Sequence, residues 1–209
     1  MKRTLWKQEN YKEYPVMVNQ EQKQYCDKRI LEKIEDQFNH AEQGKSKVFF
    51  MRYDARFPQD DYEHADNRSF RSFQANFMKN LSRKSLKPQY VAVREQSREK
   101  HQHYHVCLWL DGNKTQSTHN HIQTAERLWR SQLGLPEGQG LIDDCTHSRT
   151  GTKQINGVML RHDDPEYETK KADCFRRASY LAKINTKGNT PKGQWEVFSS
   201  RIPEEIEKK

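Results

Sequence analysis

Apolar residues recur at helical spacing in several stretches of this chain and at strand spacing in others. Within residues 19–43, Ile30, Leu31, Ile34, Phe38 and Ala41 make a stripe of period 3.6, predicting a helix that Gly44-Lys45-Ser46 ends. Phe70, Phe73, Phe77 and Leu81 do the same for a second helix, stopped by Pro88. A third is expected from Ser117 or Thr118, either of which can cap it, to about Leu133, with Ala125, Leu128 and Trp129 inward. A fourth is expected from about Pro165, suited to a first turn, to Ile184. Between them, β-branched and aromatic runs at 48–53, 90–95 and 102–110 read as strands, with shorter ones at 141–145, 155–161 and 195–200. Gln96 to Lys100 is a polar turn, so the second and third strands form a hairpin. Without the first helix the order is β-α-β-β-α-β and then a helix. That order predicts an α+β fold of the ferredoxin-like, split βαβ type: an antiparallel sheet with helices packed on it. The expected divisions are an N-terminal helical extension at 1–44, a main domain at 45–200 and a charged tail at 201–209.

Composition narrows the partners. The chain has 209 residues, 33% of them hydrophobic, and no apolar run exceeds about five residues, far below the roughly 20 needed to span a bilayer. The first residues lack the apolar stretch of a secretory signal. The four cysteines, Cys26, Cys107, Cys145 and Cys174, are scattered and include no Cys-x-x-Cys pair, which argues against a zinc ribbon or disulfide scaffold. A cytoplasmic protein without a membrane partner is expected. The net charge of +8 is uneven: Arg68 to Lys100 carries nine Lys/Arg against two acids, and Lys170 to Lys192 carries seven against Asp173 alone. Basic segments of this kind attract a polyanion, and nucleic acid is the expected one.

The candidate chemistry starts in Gln102-His103-Tyr104-His105-Val106-Cys107-Leu108-Trp109-Leu110. Side chains alternate along a strand, so His103 and His105 share a face. Two neutral imidazoles side by side on a stiff strand are a ready pair of metal ligands. With a three-residue turn at Arg98-Glu99-Lys100, Glu95 falls directly across from His103 and supplies a third ligand. A slip of one residue would throw Glu95 to the other face, leaving His101 as the reserve ligand.

The last helix carries Ser179-Tyr180-Leu181-Ala182-Lys183. At about 100° per residue, Cys174, Phe175, Ala178, Leu181 and Ala182 form its apolar arc. Tyr180 points almost opposite, on a basic stripe with Arg176 and Lys183 and near Lys187. A free phenol, with a pKa of about 10, is a poor nucleophile at neutral pH, and neighbouring cations are expected to favour its phenolate.

A His-apolar-His strand followed by Tyr-x-x-Lys resembles the HUH endonuclease superfamily, which includes rolling-circle initiators, relaxases and single-tyrosine transposases. More closely, Val48-Phe49-Phe50-Met51-Arg52-Tyr53-Asp54, the histidine strand and Tyr180 to Lys183 with Lys187 resemble the inovirus Gp2-like family of bacterial prophage proteins, of the YagK/YfjJ type. The likeness covers roughly Lys45 to Trp195. It implies His103, His105 and Glu95 as ligands of a divalent metal (Mg or Mn), Tyr180 as nucleophile and Lys183 as its helper. The implied activity is nicking and rejoining of single-stranded DNA or a DNA hairpin to start rolling-circle-type replication. Arg52, Arg83, Lys84, Lys87, Arg176, Arg177 and Lys187 are the expected nucleic-acid contacts. No Gly-x-x-x-x-Gly-Lys-Ser/Thr loop is present, which leaves strand separation to a host helicase or polymerase. A tyrosine following the histidines argues against a relaxase, and Ile184 four residues after Tyr180 excludes a paired Tyr-x-x-x-Tyr nucleophile. A non-catalytic nucleic-acid-binding module and a single-tyrosine transposase are the alternatives.

Overall fold

The structure is a computed structural model that describes residues 3–58, 66–96, 102–136, 140–148, 150–185, 187 and 190–203. His101 and most of the expected charged tail lie outside the described residues. In chain order the elements are β1 (Leu5–Trp6), β2 (Asn10–Tyr11), β3 (Tyr14–Pro15), β4 (Cys26–Asp27), α1 (Lys28–Glu42), β5 (Lys47–Arg56), α2 (Arg68–Arg83), β6 (Gln89–Glu95), β7 (His103–Asp111), α3 (His119–Leu133), β8 (Ile142–Asp143), β9 (Val158–Arg161), α4 (Tyr167–Ala178), a 3-10 turn at Ser179–Ala182, and β10 (Val197–Ser199).

Six strands make one antiparallel sheet in the order β10-β6-β7-β5-β8, with β9 also paired to β5. Strand β5 takes β9 along Lys47–Phe50 and β8 along Asp54–Ala55. Arg52 falls in the gap between the two, where its backbone would otherwise be unpaired. Asn156 fills that gap: its Oδ1 accepts from Arg52 N at 2.6 Å, and its Nδ2 donates to Arg52 O at 2.9 Å.

Helices cover both faces of the sheet. On one face, Phe70, Phe73, Phe77 and Leu81 of α2, with Ala125 and Trp129 of α3, pack on Met51, Tyr53, Tyr104, Val106 and Leu108. On the other, Ile30, Leu31, Ile34 and Phe38 of α1, with Cys174, Phe175 and Ala178 of α4, pack on Phe50, Val91, Val93, Cys107 and Trp109. This second face changes character along its length. Each strand on it runs from apolar to polar: Val48 and Phe50 then Arg52 and Asp54; Val91 and Val93 then Glu95; Trp109 and Cys107 then His105 and His103. Where α1 ends its cover, the polar half begins, and there the candidate site lies.

Two helices differ from expectation. The first begins at Lys28 rather than near residue 19, because Asp27 caps it, accepting from Arg29 N, and Cys26–Asp27 pairs with Leu5–Trp6. Before it, Asn19 closes a turn by accepting from Gln22 N at 2.9 Å. The expected N-terminal extension is therefore part strand and part helix, and α1 is built into the core. The last helix stops being α-helical at Ala178. Buried Ser179 takes Met17 N on its Oγ at 2.8 Å and donates to Arg176 O at 2.7 Å, and the chain tightens to 3-10 geometry. No helix among the described residues is long and apolar enough to cross a membrane.

Candidate metal centre and tyrosine site

The hairpin register sets Glu95 opposite His103 and Val93 opposite His105, as the turn parity predicts. From this rung, His105 Nε2 lies 3.0 Å from Glu95 Oε2 and 3.1 Å from His103 Nε2, and His103 Nε2 lies 3.8 Å from the other Glu95 oxygen. The ligand atoms of Glu95, His103 and His105 all lie within 4.8 Å of one another. His105 is buried, while the His103 side chain keeps 26% of its exposure, so the cluster is open on one side only.

A fourth residue fixes the chemistry of the three. Asp54, directly across β5 and β7 from His105, places Oδ1 2.7 Å from His105 Nδ1. A carboxylate at that distance accepts a hydrogen bond from Nδ1–H and leaves the Nε2 lone pair facing His103 and Glu95. Three electron-rich atoms then converge on one point and require a cation between them, either a proton or a metal ion. The balance at His105 tilts toward the proton. Burial lowers its pKa, but Asp54 and Glu95 outweigh burial and the net shift is upward. Burial likewise raises the Asp54 carboxyl, yet His105 and Arg52 together hold it well below the usual range. The donor set and its outer carboxylate fit a divalent metal.

Arg52 completes the buried part of the site. Its Nη2 lies 3.1 Å from Asp54 Oδ1 and 3.4 Å from His105 Nδ1, while its Nε and Nη1 meet no hydrogen-bond partner among the described residues. Its guanidinium carbon stands 4.5 Å from the centroid of the Tyr180 ring. That ring meets His105 edge-on, with centroids 5.1 Å apart. Tyr180 is thus on the histidine face, against the candidate ligand cluster. Lys183, the residue that caps the 3-10 turn Ser179–Ala182, lies over the same ring with Nζ at 5.5 Å from its centroid. The helix expected to carry both has ended by this point, but the tighter turn keeps them together. The phenol pKa is raised rather than lowered: burial and the Glu95 carboxylate outweigh Arg52.

The tyrosine turn is held by the start of the chain. Met17 N binds Ser179 Oγ, Cys26 bridges Lys183, and Ile184 N donates to Tyr25 O at 3.1 Å. Tyr14 stacks on Phe175 of α4 with centroids 4.4 Å apart.

Apart from Arg52, the expected nucleic-acid contacts divide into three groups. Lys187 lies within electrostatic reach of Glu95. Its buried Nζ has no hydrogen-bond partner among the described residues, and its pKa is lowered to about 8 by burial, against the pull of Glu95. Arg176 is exposed, whereas Arg177 spends its guanidinium on Ile155 O, Gln154 and Cys145 O, tying down the loop before β9. Arg83, Lys84 and Lys87 are exposed but lie beyond the Gln89 end of β6. Six residues of strand, about 20 Å, separate Gln89 from Glu95. The structure does not bring these three to the site. Asp54 and Asn156 are the residues that sequence reasoning missed. The signal for Asp54 was its i, i+2 relation to Arg52 on the face that the histidines share.

A family profile for the YagK/YfjJ C-terminal domain matches residues 7–194, and the chain belongs to that family. The match takes in β2 to β4, α1 and the tyrosine turn together. No curated protein matches the sequence at a significant level.

Proposed function

We propose that this chain nicks and rejoins single-stranded DNA by a metal-dependent, tyrosine-mediated reaction of the HUH type, in rolling-circle-type replication of a prophage or related element. The observation that carries the reading is the contact of Tyr180 with His105, one member of a three-residue ligand cluster, beneath two flanking cations. The strand order β6-β7-β5-β9, antiparallel throughout, agrees with a ferredoxin-like core and supports the superfamily assignment.

Glu95, His103 and His105 would hold a divalent ion, and imidazole nitrogens favour Mn²⁺ over Mg²⁺. When bound, such an ion supplies Lewis-acid polarisation of a phosphate oxygen. The chain's own residues do the rest. The Tyr180 phenol gives up its proton to solvent and its oxygen bonds to phosphorus, while the bond from phosphorus to O3′ breaks and O3′ takes up a proton from solvent. A 5′-phosphotyrosine and a free 3′-hydroxyl result, and reversal of the same step reseals the strand. Arg52 and Lys183, on the Tyr180 ring, stabilise the negative charge that builds on the phosphoryl oxygens.

The test is covalent capture. Purified protein given Mn²⁺ and a panel of end-labelled single-stranded oligonucleotides is expected to form an adduct that survives denaturing electrophoresis. Tyr180→Phe and chelation of the metal should each abolish it. Absence of any adduct across the panel, or an adduct retained by Tyr180→Phe, overturns the proposal.

A further inference from the structure

Trp195 is 64% exposed, the most exposed large hydrophobic side chain among the described residues. It stands at one wall of an open groove of about 490 Å³ that Arg68, Phe70, Arg71, Tyr90 and Phe198 also line. The Arg71 guanidinium lies 5.5 Å from the Trp195 ring centroid, and the Arg68 side chain is 90% exposed beside it. An indole left largely to solvent, with the Arg71 guanidinium over its ring and Arg68, ion-paired with Asp66, lining the same groove, combines the aromatic and cationic elements that bind single-stranded nucleic acid without reading its sequence.

The platform is fixed and tied to the metal cluster. Buried Asn67 donates from Nδ2 to Trp195 O at 2.8 Å, and its backbone N donates to Gln194 Oε1 at 3.1 Å. The Asn67 Oδ1 accepts from Tyr104 OH at 2.7 Å and from Arg94 Nη1 at 3.1 Å. Tyr104 sits between the two ligand histidines, and Arg94 precedes the ligand Glu95. One side chain therefore joins the Trp195 segment to both strands that carry the ligands. Val197 pairs with Val93, and Arg94 N donates to Glu196 O, which sets Trp195 abreast of Glu95. Because β10 is the outer strand, DNA leaving the groove has only that edge to round before it reaches the histidine face.

The geometry points to Trp195, with Arg68 and Arg71, as a base-stacking subsite for single-stranded DNA that flanks the candidate nicking site. The inference rests on single-stranded DNA as the ligand of the proposed function, but not on Tyr180 chemistry. The net charge of +8 and the pair of arginines select a polyanion as the occupant.

The test is binding of an unstructured oligothymidylate in EDTA, read by intrinsic fluorescence and by anisotropy of a labelled strand. Of the four tryptophans, Trp109 and Trp129 are buried and Trp6 is half-buried, so a base stacking on Trp195 quenches the accessible emission. Trp195→Ala is expected to lose that quenching and to bind roughly tenfold more weakly, whereas Trp195→Phe keeps most of the affinity. Arg68→Gln with Arg71→Gln should flatten the dependence of log Kd on log salt by about 0.7 for each phosphate contact removed. Unchanged affinity and quenching in Trp195→Ala overturn the subsite, and so does failure of the parent protein to bind the oligonucleotide. Covalent nicking with affinity unchanged in Trp195→Ala would sink the subsite alone. Trp195-dependent binding without any covalent adduct would sink the nuclease reading alone.

Discussion

Asp54 Oδ1 lies 2.7 Å from His105 Nδ1, on the side of the imidazole away from Glu95 and His103. This contact decides which nitrogen of His105 carries a proton and so presents a lone pair to the cluster. An Asn at this position keeps an acceptor but loses the charge that makes the imidazole a strong donor. Asp54→Asn is expected to weaken Mn²⁺ affinity by about 10- to 100-fold with the three ligands intact. Calorimetric titration with Mn²⁺ measures it, and unchanged affinity would remove Asp54 from the centre.

The metal-free protein should show a defined pH dependence. The folded pKa of His105 is raised above the ordinary histidine value of 6.5, so protonated His105 adds stability that is full below 6.5 and is lost as pH rises through the folded value. Asp54 is shifted down, so its contribution is present above 3.8 and is lost as pH falls through its lowered value. In EDTA, the urea midpoint should therefore decline on the alkaline side of 6.5. Saturating Mn²⁺ should remove that decline, because the metal takes the place of the proton. A midpoint that rises with pH in EDTA over this range would contradict the arrangement.

Arg52 is the least replaceable residue of the polar half-face. Removing it leaves buried Asp54 with His105 as its one remaining ion-pair partner among the described residues, and strips the Tyr180 ring of its support. Arg52→Ala should destabilise the fold by about 3–5 kcal/mol, as the loss of one partner from a buried ion pair does. Denaturant unfolding of the metal-free protein reads this directly. A change below 1 kcal/mol would mean that water or a shifted side chain replaces the guanidinium.

The remote basic group gives a length-dependent prediction. Arg83, Lys84 and Lys87 stand about 20 Å along the sheet from the ligand rung. Neutralising all three should weaken binding of long single strands and flatten its salt dependence, while short oligonucleotides that cover only the site bind as before. Anisotropy with a series of strand lengths separates the cases. An equal loss at every length would place these residues in contact with the site.

The legible parts of this molecule were those that local rules govern. A short turn fixes the parity of its two strands, so the pairing of Glu95 with His103 followed from residues 95–105 alone. The apolar arc of Cys174, Phe175, Ala178, Leu181 and Ala182 is buried throughout, as the helical period required. Asp54 was not legible as a partner of His105, because the register of β5 on β7 is set across some 50 residues with no turn to count from. The 3-10 change at Ser179 was hidden for the same reason: its cause is Met17, 162 residues earlier. Strands of two residues, such as β1 to β4, are too short to leave any periodic trace.

The hold of Met17, Tyr25 and Cys26 on the turn around Tyr180 bears on how the site is assembled. All three ligands and the tyrosine lie after residue 94, yet the tyrosine is fastened by residues that a ribosome would have released long before it. The ligand rung needs only β6 and β7 to form, whereas the nucleophile is seated only when the two ends of the matched region close on each other. Ser179→Ala, which cuts the hold of Met17 on the turn, would therefore leave the ligand rung in place and loosen the aim of the tyrosine, so that Mn²⁺ binding survives while covalent capture falls.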